Sequence, residues 1–149
     1  MKKIILIVLT AFQISCGSAK TAPEIVDRPI EFNQARLELT REYVKERYGL
    51  KAEDATINPK IIVVHWTAIP TLEASFKAFD PVKLPGARGD IKSAGDLNVS
   101  AHFLIDRDGT IYRLMPENIM ARHVIGLNHV ALGIENVGGT PEIGRASCR

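Results

Sequence analysis

Cysteine is nearly absent from this chain: Cys16 and Cys148 are the only two in 149 residues. No Cys-x-x-Cys pair occurs, which excludes a cysteine-rich structural zinc site, and the two thiols do not suggest a disulfide. No His-Glu-x-x-His helix, Gly-x-Ser-x-Gly elbow or Gly-rich phosphate loop is present. The commonest metalloprotease, serine hydrolase and nucleotide-binding patterns are therefore missing. Charge of one sign is also lacking. A net charge of +2 argues neither for a nucleic-acid footprint nor for an acidic tail, so no nucleic-acid partner is expected. No internal repeat or low-complexity segment occurs. What is present, 46% hydrophobic and 24% charged residues, suffices for one domain of ordinary size and not two.

The N-terminus reads as an export signal over residues 1–19. Met1-Lys-Lys3 is a charged n-region and Ile4 to Leu9 an apolar h-region, too short to span a bilayer permanently. Phe12-Gln-Ile-Ser-Cys-Gly17 follows and resembles a bacterial lipobox, with Gln13 where leucine is usual. On that reading Cys16 is lipidated and anchors the mature chain to a membrane. The alternative is cleavage after a small residue such as Ala19, giving a soluble exported protein. Residues 20–31 read as a polar tether. At the other end, Glu142-Ile-Gly-Arg-Ala-Ser-Cys-Arg149 has neither apolar period nor turn logic and reads as a translated sequencing adapter. A non-native tail is expected at 142–149, and a genomic read encoding these residues and then a stop codon would overturn that.

Between these ends the pattern predicts an α/β layer fold. A helix is expected over Phe32 to Tyr48, with Leu39 and Tyr43 inward and Gly49 as terminator. The strongest strand is Lys60 to Thr67, where four consecutive β-formers, Ile61 to Val64, suggest burial on both faces. A helix from Thr71, as N-cap, to Phe79 turns Leu72, Phe76 and Phe79 inward. Asp80 to Leu97 is a long loop of the kind that is often functional. Val99 to Asp106 and Thr110 to Met115 form a hairpin about Arg107-Asp-Gly109, and Val130 to Val137 is a last strand.

The histidines are His65, His102, His123 and His129. His65 ends an apolar β-run, and a polar imidazole there needs a hydrogen bond or a metal. An open catalytic zinc site takes three protein ligands and a water, whose pKa the metal lowers to about 7. A carboxylate then serves as general base and acid, and Glu135, in a short apolar strand, is the candidate. Each residue also has a structural explanation. His65 alone could be a hydrogen-bonded core residue and Glu135 a salt-bridged carboxylate. His102 could be packing, His123 and His129 exposed loop residues, and Trp66 core or groove wall.

Four segments occur in order: Val63-Val-His-Trp-Thr67, Val99-Ser-Ala-His-Phe-Leu-Ile-Asp-Arg-Asp-Gly-Thr-Ile-Tyr112, Ala121-Arg-His123, and Asn128 followed by Leu132-Gly-Ile-Glu135. The series resembles the zinc-dependent N-acetylmuramoyl-L-alanine amidases, with their phage lysozyme-type and animal peptidoglycan-recognition relatives. Leu39-Thr-Arg-Glu-Tyr43 and Arg47-Tyr-Gly49 resemble the lead-in of bacterial members, so the likeness covers Phe32 to Gly139. It implies a central mixed β-sheet flanked by helices, incomplete at the C-terminus, with 32–141 the N-terminal part of the amidase domain. It implies cleavage of the amide between N-acetylmuramic acid and the L-alanine of the stem peptide, with peptidoglycan or muropeptides as partner and Zn2+ as cofactor.

By the same resemblance His65 matches the first zinc ligand and Glu135 the carboxylate that activates the zinc water. Another branch uses a tyrosine where this chain has Ala101. His123, Asn128 and Trp66 are carried over as substrate contacts at the groove. The family's second and third ligands, a later histidine and an aspartate or cysteine, have no counterpart. The chain as written is therefore expected to hold zinc poorly, to leave apolar sheet surface uncovered, and to be unstable and inactive. Two further readings stay open: a non-catalytic peptidoglycan-binding module on the same fold, and an exported domain unrelated to cell walls in which His65 and Glu135 are merely structural.

Overall fold

The computed structural model describes residues 22–51, 53–86 and 95–139. The expected export signal with Cys16, the expected non-native tail at 142–149 and the middle of the expected Asp80 to Leu97 loop lie outside the described residues.

The first helix, α1 (Gln34–Tyr48), starts at Asn33, whose side chain accepts the Arg36 N–H, and stops at Gly49 with φ 65°. Its buried face is Arg36, Thr40, Tyr43 and Val44. Tyr43 and Val44 pack with Leu97 and Met120 into one small core. The second helix, α2 (Leu72–Phe79), is capped by Thr71, which accepts from the Ala74 N–H. Phe79 enters the main core with Leu104, Leu114, Met115 and Val137, and Leu72 and Phe76 pack against it, as their spacing predicts.

Five strands form one mixed sheet: β1 (Ile25–Asp27), β2 (Ile61–Trp66), β3 (Phe103–Ile105), β4 (Ile111–Arg113) and β5 (Ala131–Asn136), in the order β1-β4-β3-β5-β2. β3 and β4 are the expected antiparallel hairpin, turned at Gly109 with φ 91°. The other pairings are parallel. The architecture is α/β, as the pattern of elements implies.

Two expectations need correction. Residues 20–31 are not all tether: Ile25 to Asp27 pair in parallel with Ile111 to Arg113. Pro23 and Pro29 disguise the strand, but an edge position needs only one side of its backbone paired. Nor is β2 buried on both faces. Among the described strands it is the opposite edge of the sheet, bonded to β5 alone, and Ile62 and Val64 are 61% and 65% exposed. Among the described residues, Ile62 and Val64 therefore have no core to enter.

Candidate active site

The parallel β2–β5 register sets Val63 opposite Gly133 and His65 opposite Glu135. Alternation along the strands puts all four on one face. A chain that separates His65 from Glu135 by seventy positions thus brings them side by side.

Gly133 makes room on this face. A Cβ there would lie 2.6 Å from the ring of His123, which nests into the space. His65 Nε2 and His123 Nδ1 are 3.1 Å apart, and His123 Nε2 lies 3.3 Å from the Ala131 carbonyl. Burial depresses His123 to about 4, helped by His102 and His65 nearby and opposed by the Ala131 carbonyl. Burial also lowers His65. Both imidazoles are neutral at physiological pH.

His102 is fully buried. Its Nε2 donates to the Ile119 carbonyl at 2.8 Å, and its Nδ1 accepts the Gly133 N–H at 2.9 Å. Both nitrogens serve packing of the backbone, the structural reading weighed for it above.

Glu135 is the outlier. Its Oε2 is buried and has no hydrogen-bond partner among the described residues, and burial raises the carboxyl to about 7. It lines a cleft of about 360 Å³ together with Trp66, Thr67, Asn98, Arg122 and His123. A buried carboxylate without a partner inside a cleft is poorly stabilised as a structural group and well suited to exchanging a proton with something bound there.

The remaining expected site residues divide. Trp66 and His123 line the cleft; Asn128 does not. It is fully buried: its Oδ1 accepts the N–H groups of His123 and Val124, and its Nδ2 donates to the Tyr43 hydroxyl. Expected at the rim, Asn128 instead folds the loop that carries His123. Arg122 was not singled out from the sequence. It donates to the carbonyls of Gly95 and Leu97 and lies over the Tyr43 ring, tying the base of the long loop to α1. Gly133 was legible only as part of Leu132-Gly-Ile-Glu135; its role as the notch for His123 needs the fold.

The described residues do not by themselves make a zinc site, for no three His, Cys, Asp or Glu side chains among them converge on a common point. His65 offers one donor. No described helix is long and apolar enough to cross a membrane.

A family profile described as N-acetylmuramoyl-L-alanine amidase matches residues 55–146. The endolysins of Escherichia phage T7 and Enterobacteria phage T3 are each 39% identical over 54 residues, 36% of this chain and 36% of theirs. The match thus spans about a third of the length of these curated relatives. Among solved structures, the N-acetylmuramoyl-L-alanine amidase LysC from Clostridium intestinale URNW is 27% identical, with 84% of this chain and 70% of that one covered and a TM-score of 0.42. The endolysin of Thermus scotoductus bacteriophage Ph2119 is 24% identical over 77% of this chain and 61% of its own, with a TM-score of 0.44.

Proposed function

The chain belongs to the N-acetylmuramoyl-L-alanine amidase family, and on that premise we propose that it acts on cell-wall peptidoglycan, hydrolysing the amide between N-acetylmuramic acid and L-alanine. The observation that carries this reading is Glu135: a cleft carboxyl whose Oε2 has no partner among the described residues, raised to about 7 and set beside His65. A base with that pKa takes the proton of water as its oxygen attacks the lactyl carbonyl. The same group then returns the proton to the departing amine of L-alanine, leaving a free carboxylic acid and a free amino group. The first transfer is near-neutral only for a water whose pKa is itself lowered to about 7, which a bound zinc would supply, and the second, to a basic amine, is downhill.

Zinc dependence enters through the family. His65 is the ligand this chain supplies, and the two further donors are proposed to lie outside the described residues. From the ligands that the resemblance leaves unmatched, we further propose that the chain as given holds zinc weakly and is inactive. The export segment supports action in the cell envelope, with Cys16 as the proposed lipid anchor. A second reading, a binding module that grips peptidoglycan without cutting it, is favoured by the lack of three converging donors among the described residues.

Purified wall material digested with the full-length gene product separates the two. The amidase reading expects new amino-terminal L-alanine without new reducing sugar ends, and a loss of roughly 100-fold or more in Glu135→Gln and His65→Ala. Undiminished digestion in both variants rejects the site. Tight wall binding with no release in the wild type establishes the binding module instead.

A further inference from the structure

The Ala131 carbonyl can only accept a hydrogen bond, so the His123 Nε2 that faces it at 3.3 Å carries the proton. In the neutral imidazole this leaves His123 Nδ1 as a bare acceptor. The atom opposite it at 3.1 Å, His65 Nε2, must then be the donor. The chain of bonds runs in one direction: His65 Nε2–H to His123 Nδ1, and His123 Nε2–H to the Ala131 oxygen. The reverse direction would set a nitrogen lone pair against the carbonyl lone pairs of Ala131.

We infer that His123 is a positioning residue: it holds His65 in the Nε2–H tautomer, which leaves the lone pair of His65 on Nδ1. Among the described residues no hydrogen bond engages Nδ1 of His65. A histidine with its second nitrogen anchored in this way is fixed in both tautomer and ring orientation before any cation or proton donor arrives. The anchor is itself held. Gly133 leaves the space for the ring, and Asn128 fixes the loop through the N–H groups of His123 and Val124. With both ring nitrogens committed, His123 has no N–H left to offer a substrate, so its place in the cleft wall serves His65. The inference concerns the same site as the proposed amidase but does not depend on catalysis.

Long-range proton–nitrogen NMR of the full chain, ring-labelled at histidine and free of added metal at pH 7.5, reads the tautomers directly; His65→Gln assigns the signals. His65 is expected as a single Nε2–H tautomer. In His123→Ala it becomes a mixture of both forms. In His123→Asn, whose amide oxygen takes the place of Nδ1, the Nε2–H form is largely restored. His102, anchored independently by Ile119 and Gly133, reports whether each variant stays folded. A wild-type His65 in the Nδ1–H form overturns the inference whatever the variants do. So does a single unchanged tautomer in His123→Ala with the His102 signature intact. Failure of wall hydrolysis with the tautomer pattern as expected counts against the proposed activity alone.

Discussion

Glu135 makes the stability of the fold depend on pH in a way that identifies it. Its folded carboxyl sits near 7 against an ordinary 4.5. Between those values the unfolded chain gives up a proton that the folded chain keeps. Its contribution is therefore fully present below 4.5, falls as pH rises, and levels off above 7. The complete loss is up to about 3 kcal/mol, less whatever screening the cleft water supplies. His123 acts in the other sense. Depressed to about 4 from 6.5, it contributes stability above 6.5 that is lost as pH falls through 4. The two slopes oppose one another between 4.5 and 6.5. Urea denaturation across this range should find Glu135→Gln equal to wild type near pH 4.5 and more stable by about 2–3 kcal/mol at pH 8. Profiles that run parallel would mean that the carboxyl is not held protonated by burial.

At the scale of elements, one buried guanidinium joins α1 to the end of α2. Arg36 is 1% exposed, and its Nη2 donates to the carbonyls of Phe79, Asp80 and Pro81 at 3.1, 2.8 and 2.8 Å. Its Nε donates to Glu31. Those carbonyls end α2 and open the long loop, so Arg36 sets where the loop leaves the body. Burial lowers its pKa, but an arginine stays charged. Arg36→Met leaves several buried carbonyls without donors and should cost about 3 kcal/mol or more. Arg36→Lys should recover little, since one ammonium cannot reproduce the fork. Thermal unfolding of both variants checks this, and a loss below about 1 kcal/mol would show the carbonyls to be hydrated instead.

The end of α1 at Gly49, the start of α2 at Thr71 and the Gly109 turn were legible because each rests on local chemistry, whereas the cap at Asn33, one residue inside the expected start at Phe32, was not singled out. His65 and Glu135 were legible as residues, from the ordered motifs around them. What was not legible depends on partners far along the chain. Arg36 looks like a surface residue of a charged helix until α2 is placed. Asn128 looks like a rim residue until Tyr43 and the His123 loop enclose it. The His65–His123 bond spans 58 positions, and no spacing rule points to it. Strand β1 is three residues between prolines, below the length at which alternation carries a signal.

At the scale of the molecule, the sheet has two unequal edges. The β1 edge is short and polar at its ends: Arg113 binds Asp27 at 2.8 Å and Glu117 at 3.1 Å, and Arg28 binds Glu73 at 2.7 Å. The β2 edge is six residues long and has no charge from Ile61 to Val64 and no proline. It lacks the devices that keep sheet edges from pairing. The described chain should self-associate through this edge, and Ile62→Lys with Val64→Lys should shift it toward monomer. Both side chains already face water, so the stability change should stay within about 0.5 kcal/mol. Light scattering against concentration measures this; association unchanged by the double substitution would place the contact elsewhere.

The pairing of β1 also shortens the leash. With Ile25 locked to Ile111, eight residues, or nine Cα steps, separate the sheet from Cys16. Fully extended, that stretch reaches about 30 Å. A lipid on Cys16 would therefore hold the β1 edge within about 30 Å of the bilayer, with β2 and the His65–Glu135 pair on the far side of the sheet. On the proposed activity and anchor, the site would then reach only the layer of wall nearest the membrane, and any deeper reach would require release of the lipid or unpairing of β1.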